Sequence, residues 1–307
     1  VKALGVFDIG SNTILITVGR LSPSGSLEIL WDEGDVVRLS EGLQDGGELQ
    51  DDAKERALKT LTEFKQGAER LGVRHFLAAG TAAFRRAKDG RDFAQEIQKK
   101  LGIPVRILKG EEEAAYSYLS AELDFSDKGE DFGMIDIGGG STELVFGKTD
   151  TGKSLPMGTV KLTELFRPEH PIPDKTWEAI QSEIRRLLRE AFPNLPPVPR
   201  RWVAVAATPA SLAAVLLELS RYDPTRIHGF RMTLPDLSAL LDKLRHLSLA
   251  ERQALPGMHP KRAELLPIGG LILQEAMHFL NIPEILVSDH GLRYGILWEE
   301  IKKGGLL

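Results

Sequence analysis

The 307 residues contain no cysteine. That removes disulfides, thiolate metal sites and cysteine nucleophiles together, and it fits a reducing compartment. A long uninterrupted apolar run is also missing. The longest, VAVAATPASLAAVLLEL from Val203, is cut by Thr208, Pro209 and Ser211 and reads as strand, turn and buried helix rather than a membrane span. The opening VKALGVFDIG reaches an acid at Asp8 too early for a secretory signal. A cytoplasmic protein with no membrane partner is therefore expected. Excess positive charge is absent as well. The net charge is −5 and the cationic patches are short (Arg85, Arg86 and Lys88; Arg200 and Arg201; Lys261 and Arg262), so no nucleic-acid partner is expected and an anionic ligand must be held by local groups. The seven histidines show no H-E-x-x-H or similar spacing, which argues against a histidine-bound zinc.

What is present is globular. With 42% hydrophobic and 27% charged residues the chain is neither disordered nor fibrous, and its length suits two domains better than one core. Residues 3–21 read as strand, glycine turn and second strand. Helix 51–71 follows, with Ala57, Leu61, Phe64, Ala68 and Leu71 on one face, then strand 73–80, helix 91–101, strand 105–108 and a helix from Glu111. The opening pattern then returns in FGMIDIGGGSTELVFG (132–147). A second round comprises helix 174–191, strand 201–207, helices near 209–219, 235–246 and 260–280, strand 284–289 and a last helix near 291–302. The proline-rich PNLPPVPRR (193–201) reads as a connection, because a strand resumes directly after it. The expectation is two α/β halves, each opened by a hairpin whose turn reads Asp-Ile-Gly, with a cleft between them facing both turns.

Consecutive backbone N–H groups at a glycine turn form an anion-binding concavity, and a missing Cβ lets phosphate approach. Neither a P-loop nor a Rossmann turn is read here. Each of those runs from strand into helix, whereas STELVF alternates as a strand, and no Gly-Lys-Ser/Thr follows. Without such a lysine, the acids at Asp136 and Glu143 would repel phosphate. A Mg²⁺ or another divalent cation between carboxylate and phosphate resolves the conflict.

These residues resemble the actin-like phosphotransferase superfamily and, within it, the exopolyphosphatase and guanosine pentaphosphate phosphohydrolase family. FDIGSNT (7–13) and IDIGGGSTEL (135–144) are similar to the family's two phosphate motifs, GTAAFRRAKD (80–89) to its arginine segment and GEEEA (110–114) to its Gly-x-Glu-Glu-Ala segment. LPMGTVKLTE (155–164) and LPGMHPKRAELLPIGGLIL (255–273) resemble later segments. Departures are Ala82 and Asp89 in the arginine segment, Ala206, Ala207 and Thr208 where a glycine-rich turn is expected, and Tyr294 in place of a glutamate. The 307 residues also end without the helical extension of longer members, from which less processive attack on long polyphosphate is expected.

The resemblance implies an α/β fold of two actin-like (ribonuclease H-like) domains with an active-site cleft between them. The first would span 1–122, with 290–307 returning to it, and the second 123–289. It implies a cytoplasmic hydrolase, an exopolyphosphatase or guanosine-5′-triphosphate,3′-diphosphate phosphatase of the stringent response, acting on polyphosphate or guanosine pentaphosphate; a homodimer is one assembly it allows. Glu113 would be the general base and Arg85 the phosphate-contacting arginine, with Arg86 left on the surface. Gly10, Ser11, Asn12, Thr13, Gly138, Gly139, Gly140, Ser141 and Thr142 would cradle phosphates. Asp136 and Glu143 would hold the metal, with Asp8 reaching it through water. The residues alone leave open an ATP-dependent small-molecule kinase or a nucleotide switch of the same superfamily, each of which needs an adenosine pocket.

Overall fold

The computed structural model describes residues 3–22, 25–125, 131–148 and 152–303. The chain forms two compact units, Val1–Ser120 with Leu292–Leu307, and Ala121–Gly291. No helix among the described residues is long and apolar enough to cross a membrane.

Unit 1 begins with strands β1 (Leu4–Ile9), β2 (Thr13–Leu21) and β3 (Leu27–Val36). Helix α1 (Asp51–Arg70), strand β4 (His75–Gly80), helices α2 (Ala82–Arg86) and α3 (Gly90–Leu101), strand β5 (Val105–Ile107) and helix α4 (Gly110–Phe125) follow. The sheet order is β3-β2-β1-β4-β5, with antiparallel pairs among the first three strands and parallel pairs from β1 through β5. Successive side chains of β1 serve opposite faces, as the pleat requires. Phe7 and Ile9 join the core under α1 and α3, while Leu4 and Val6 join a second cluster on the other face. Of the face expected on α1, Ala57, Leu61, Phe64 and Ala68 are buried, but Leu71 caps the helix end and is exposed.

Unit 2 contains β6 (Phe132–Ile137), β7 (Thr142–Val145), β8 (Lys153–Leu155), α5 (Thr159–Phe166), α6 (Asp174–Ala191), β9 (Arg201–Val205), α7 (Ala207–Leu216), α8 (Pro224–Ile227), β10 (Arg231–Thr233), α9 (Leu234–His246), α10 (Leu249–Gln253), α11 (Leu266–Leu280) and β11 (Glu284–Val287). Its sheet runs β10-β11-β9-β6-β7-β8. Read from β8 to β11, this repeats the order and pairing sense of unit 1, with β10 added at the edge. The internal repeat of the sequence is thus a repeat of architecture. A final helix, α12 (Leu292–Lys302), returns to unit 1, where Leu292, Ile296, Leu297 and Ile301 complete the cluster containing Leu4 and Val6. Arg293 anchors it by donating to Thr17 Oγ1 at 2.7 Å and to Asp32 Oδ1 at 3.0 Å.

Two expectations need correction. Residues 260–280 are not one helix: a 3-10 turn, Pro260–Arg262, precedes α11, and Pro267 sits in the first turn of α11, where its missing N–H costs no helical hydrogen bond. The strand expected over 201–207 stops at Val205 because Ala206 adopts φ 76°, ψ −178°. That region is nearly restricted to glycine, and a Cβ there costs about 1–3 kcal/mol. The glycine-like turn is therefore kept although its residue is alanine. Ala206→Gly is expected to stabilise the protein by about 1 kcal/mol, because relief of strain outweighs glycine's greater freedom in the unfolded chain. A urea unfolding midpoint that falls, or does not move, would contradict this.

Candidate active site

The two Asp-Ile-Gly hairpins close in the same way. Gly10 N donates to Thr13 O at 3.0 Å, and Gly138 N donates to Ser141 O at 3.0 Å. A Cβ at Gly10 would lie 3.1 Å from Thr13 O, and one at Gly138 would lie 3.1 Å from Ser141 O. Each turn is backed by a threonine after the next parallel strand: Thr81 N donates to Ile9 O at 3.3 Å, and Thr208 Oγ1 to Ile137 O at 3.4 Å. Both turns lie at the carboxyl ends of parallel strands, where open α/β sheets bind ligands.

In unit 1 the turn's carbonyls are taken up by the loop after β3. Asn12 O accepts from Val37 N and Arg38 N, both at 2.9 Å, and Ser11 O from Ser40 N at 2.9 Å. Ser11 Oγ and Asn12 Oδ1 are buried with no hydrogen-bond partner, which suits them to a ligand's polar atoms. In unit 2 the same service comes from α5, which the sequence reading did not find. Its Thr159 N donates to Gly138 O at 3.0 Å and Val160 N to Gly139 O at 2.9 Å. A Cβ on the preceding Gly158 would fall 2.4 Å from Gly139 C, so only glycine lets α5 seat against the turn. Thr142 Oγ1 donates to Met157 O at 2.6 Å and ties the turn to the same segment.

The three acids that open α4 have different surroundings. Glu111 is exposed. Glu112 accepts from Lys109 N at 2.8 Å and pairs with Arg106, and this backbone hydrogen bond, with the nearby guanidinium, holds its carboxyl below the ordinary range. Glu113 is buried, and its Oε2 accepts from Arg85 Nη1 at 2.6 Å. The same Nη1 donates to Leu108 O at 2.9 Å, and Arg85 N donates to Thr81 O at 3.3 Å. Arg85 and Glu113 are thereby linked through Thr81 to the carbonyl before the first glycine turn. Arg86 is not a surface residue: its side chain is only 15% exposed and donates to Asp45 Oδ1 and Leu43 O, both at 2.7 Å. Asp89 likewise pins structure, accepting from Leu49 N at 3.0 Å and pairing with Lys54 at 2.7 Å.

Asp136 and Glu143 are direct cross-strand partners in the β6–β7 ladder. They are 7% and 1% exposed. Directly opposed like charges destabilise a sheet, and burial removes the screening that would soften the repulsion. Glu143 Oε1 accepts from Ser154 Oγ at 2.6 Å, which orients it from β8. In unit 1 the position matching Glu143 is Leu15, the partner of Asp8, so only unit 2 carries the carboxylate pair. The expected site residues accordingly divide between the units: Asp8, Gly10 to Thr13, Arg85 and Glu113 in unit 1, and Asp136, Gly138 to Thr142 and Glu143 in unit 2.

Two repeated units of this topology, each with a glycine turn after its first strand, define an actin-like α/β protein. The profile of the Ppx/GppA phosphatase family matches residues 20–304, and the chain belongs to that family. Exopolyphosphatase 2 of Mycobacterium tuberculosis is 31% identical over 95% of this chain and 97% of its own. The crystal structure of the Aquifex aeolicus member of the Ppx/GppA family superimposes with a TM-score of 0.82 at 28% identity, over 100% of this chain and 99% of that one. An exopolyphosphatase from Cytophaga hutchinsonii shares the fold with a TM-score of 0.89 at 22% identity, over 98% of each chain.

Proposed function

We propose that this phosphatase releases terminal phosphate from inorganic polyphosphate, with guanosine pentaphosphate as a second substrate of the same site. The observation that carries the reading is the 2.6 Å contact between Arg85 and buried Glu113, linked to the Gly10 turn. A carboxylate beside a guanidinium is the pair that water attack on a phosphate needs. Polyphosphate enters the reading because relatives that match along nearly their whole length, such as the one from Mycobacterium tuberculosis, are named exopolyphosphatases.

In the proposed reaction the incoming terminal phosphate draws the Arg85 guanidinium onto its oxygens, which frees Glu113 Oε2. Glu113 then accepts a proton from water, the water oxygen bonds to the terminal phosphorus, and the anhydride P–O bond breaks with its electron pair going to the shortened chain. The backbone N–H groups of the Gly10 turn, with Ser11 and Asn12 of the same unit, are suited to hold the remaining phosphates. The buried pair of hard oxygen donors in unit 2, Asp136 and Glu143, fits Mg²⁺ or another divalent cation. When bound, that ion offsets phosphate charge that the acids would otherwise repel.

Chelation tests the metal. Phosphate release is expected to fall to background in excess EDTA, and Mg²⁺ is expected to raise the melting temperature of the wild type but not of Asp136→Asn. Full activity in EDTA would remove the metal role of Asp136 and Glu143. The substrate is tested by comparing phosphate release from short polyphosphate, long polyphosphate and guanosine pentaphosphate at matched concentration. Release from none of the three would overturn the proposed function.

A further inference from the structure

We propose that unit 2 carries a second metal site, separate from the phosphate turns, in which Asp124, His228 and His290 bind one late first-row divalent cation of the Zn²⁺ type. One ligand atom from each residue lies within 4.8 Å of the others. The histidine spacing gave no hint of this, because the three residues come from distant segments: the end of α4, the residue that caps α8, and the link between β11 and α12.

The side chains are held by their surroundings. The His228 ring stacks on Phe125, with centroids 5.0 Å apart, and lies 4.4 Å from the His290 ring. Its Nδ1 is buried with no hydrogen-bond partner. A buried ring nitrogen without a partner is costly in a fold with no use for it, and a neutral imidazole offers one nitrogen lone pair to a cation. His290 is fixed through its backbone, its N–H donating to Ser288 Oγ at 3.2 Å and its carbonyl accepting from Ser288 Oγ at 2.9 Å. Asp124 is exposed, so an ion can reach the group from solvent.

His290 Nδ1 donates to Asp124 Oδ2 at 2.8 Å. Two ligands of a tetrahedral ion with bonds of about 2.0–2.1 Å stand roughly 3.3 Å apart, so the ion replaces the shared proton, which leaves to solvent, and the pair opens by about 0.5 Å. Two imidazole nitrogens and one carboxylate oxygen favour Zn²⁺, Co²⁺ or Ni²⁺ over Mg²⁺, which prefers an all-oxygen shell. The hard-oxygen pair Asp136 and Glu143 has the opposite preference, so the two sites divide the metals between them. The new site also ties the segment by which the chain enters unit 2 to the one by which it leaves, since Asp124 follows Ser120 closely and His290 directly precedes Gly291.

Calorimetric titration of the full chain with Zn²⁺ in excess Mg²⁺ tests the site. One equivalent is expected to bind, and Co²⁺ in its place is expected to give the visible absorption of a tetrahedral ion. Asp124→Asn, His228→Asn and His290→Asn should each weaken Zn²⁺ uptake by more than about 100-fold, the upper end of what loss of a mere supporting partner costs. Asp124→Asn changes an exposed residue, so it decides the matter if a histidine variant does not fold. Its phosphate release in Mg²⁺ should match the wild type, which separates this site from the proposed catalytic one. No Zn²⁺ uptake in excess Mg²⁺, or uptake that survives all three substitutions, would overturn the proposal.

Discussion

Glu113→Gln is expected to lower turnover by about 10²- to 10⁴-fold, the range for loss of a general base. The amide keeps the shape of the side chain and can still accept a hydrogen bond from Arg85, but it cannot take a proton from water. Substrate affinity should stay level or tighten, because the change removes a buried negative charge from the path of a polyanion. Glu111→Gln is the matched control. Glu111, two residues earlier in the same helix, is exposed and contributes only its interaction with the helix dipole, about 0.3–1 kcal/mol, so turnover of its variant should be that of the wild type. If both variants keep full turnover, the water is activated by another group.

Arg85→Ala is expected to lower turnover by about 10²- to 10³-fold, as when a donor to developing transition-state charge is removed. Arg85→Lys should recover part of this, since an ammonium restores charge but not the planar fork. The neighbouring Arg86→Ala should act on stability instead. It severs the contacts to Asp45 and Leu43 O that hold the loop before α1, a loss of about 1–3 kcal/mol that would show in the melting temperature with little change in turnover. Equal effects of the two alanine variants on turnover would show that the wrong arginine has been assigned to the phosphate.

Much of this was legible in the sequence because the informative signals are local. Asp-Ile-Gly between two alternating apolar runs dictates a hairpin with a bare turn, and finding it twice revealed the repeated architecture. Glu113 stood out from Glu111 and Glu112 only through the resemblance of GEEEA to a family segment; no helix periodicity separates them. What the sequence hid depends on partners brought from elsewhere in the chain. β3 was missed because Asp32, Glu33, Gly34 and Asp35 run against strand propensity, and it forms by pairing with β2 and accepting Arg293. Helix α5 was missed because it is short and begins on a glycine that a local reading takes for a loop. The opposition of Asp136 and Glu143 is a property of ladder register, and the burial of Arg86 depends on a loop some forty residues earlier. The gathering of Asp124, His228 and His290 had no linear signal, because metal motifs are recognised by spacing within one element and these residues sit on three.

The return of α12 to unit 1 also fixes an order of synthesis. All of unit 2 leaves the ribosome before Leu292 does, so that unit can close its core while the N-terminal sheet still lacks its last helix. Until then Leu4 and Val6 face outward on β1, and Thr17 and Asp32 lack the guanidinium of Arg293. The nascent chain thus passes through a stage in which β1, made well before unit 2, is covered only after it, and the apolar face exposed in that interval is prone to aggregate.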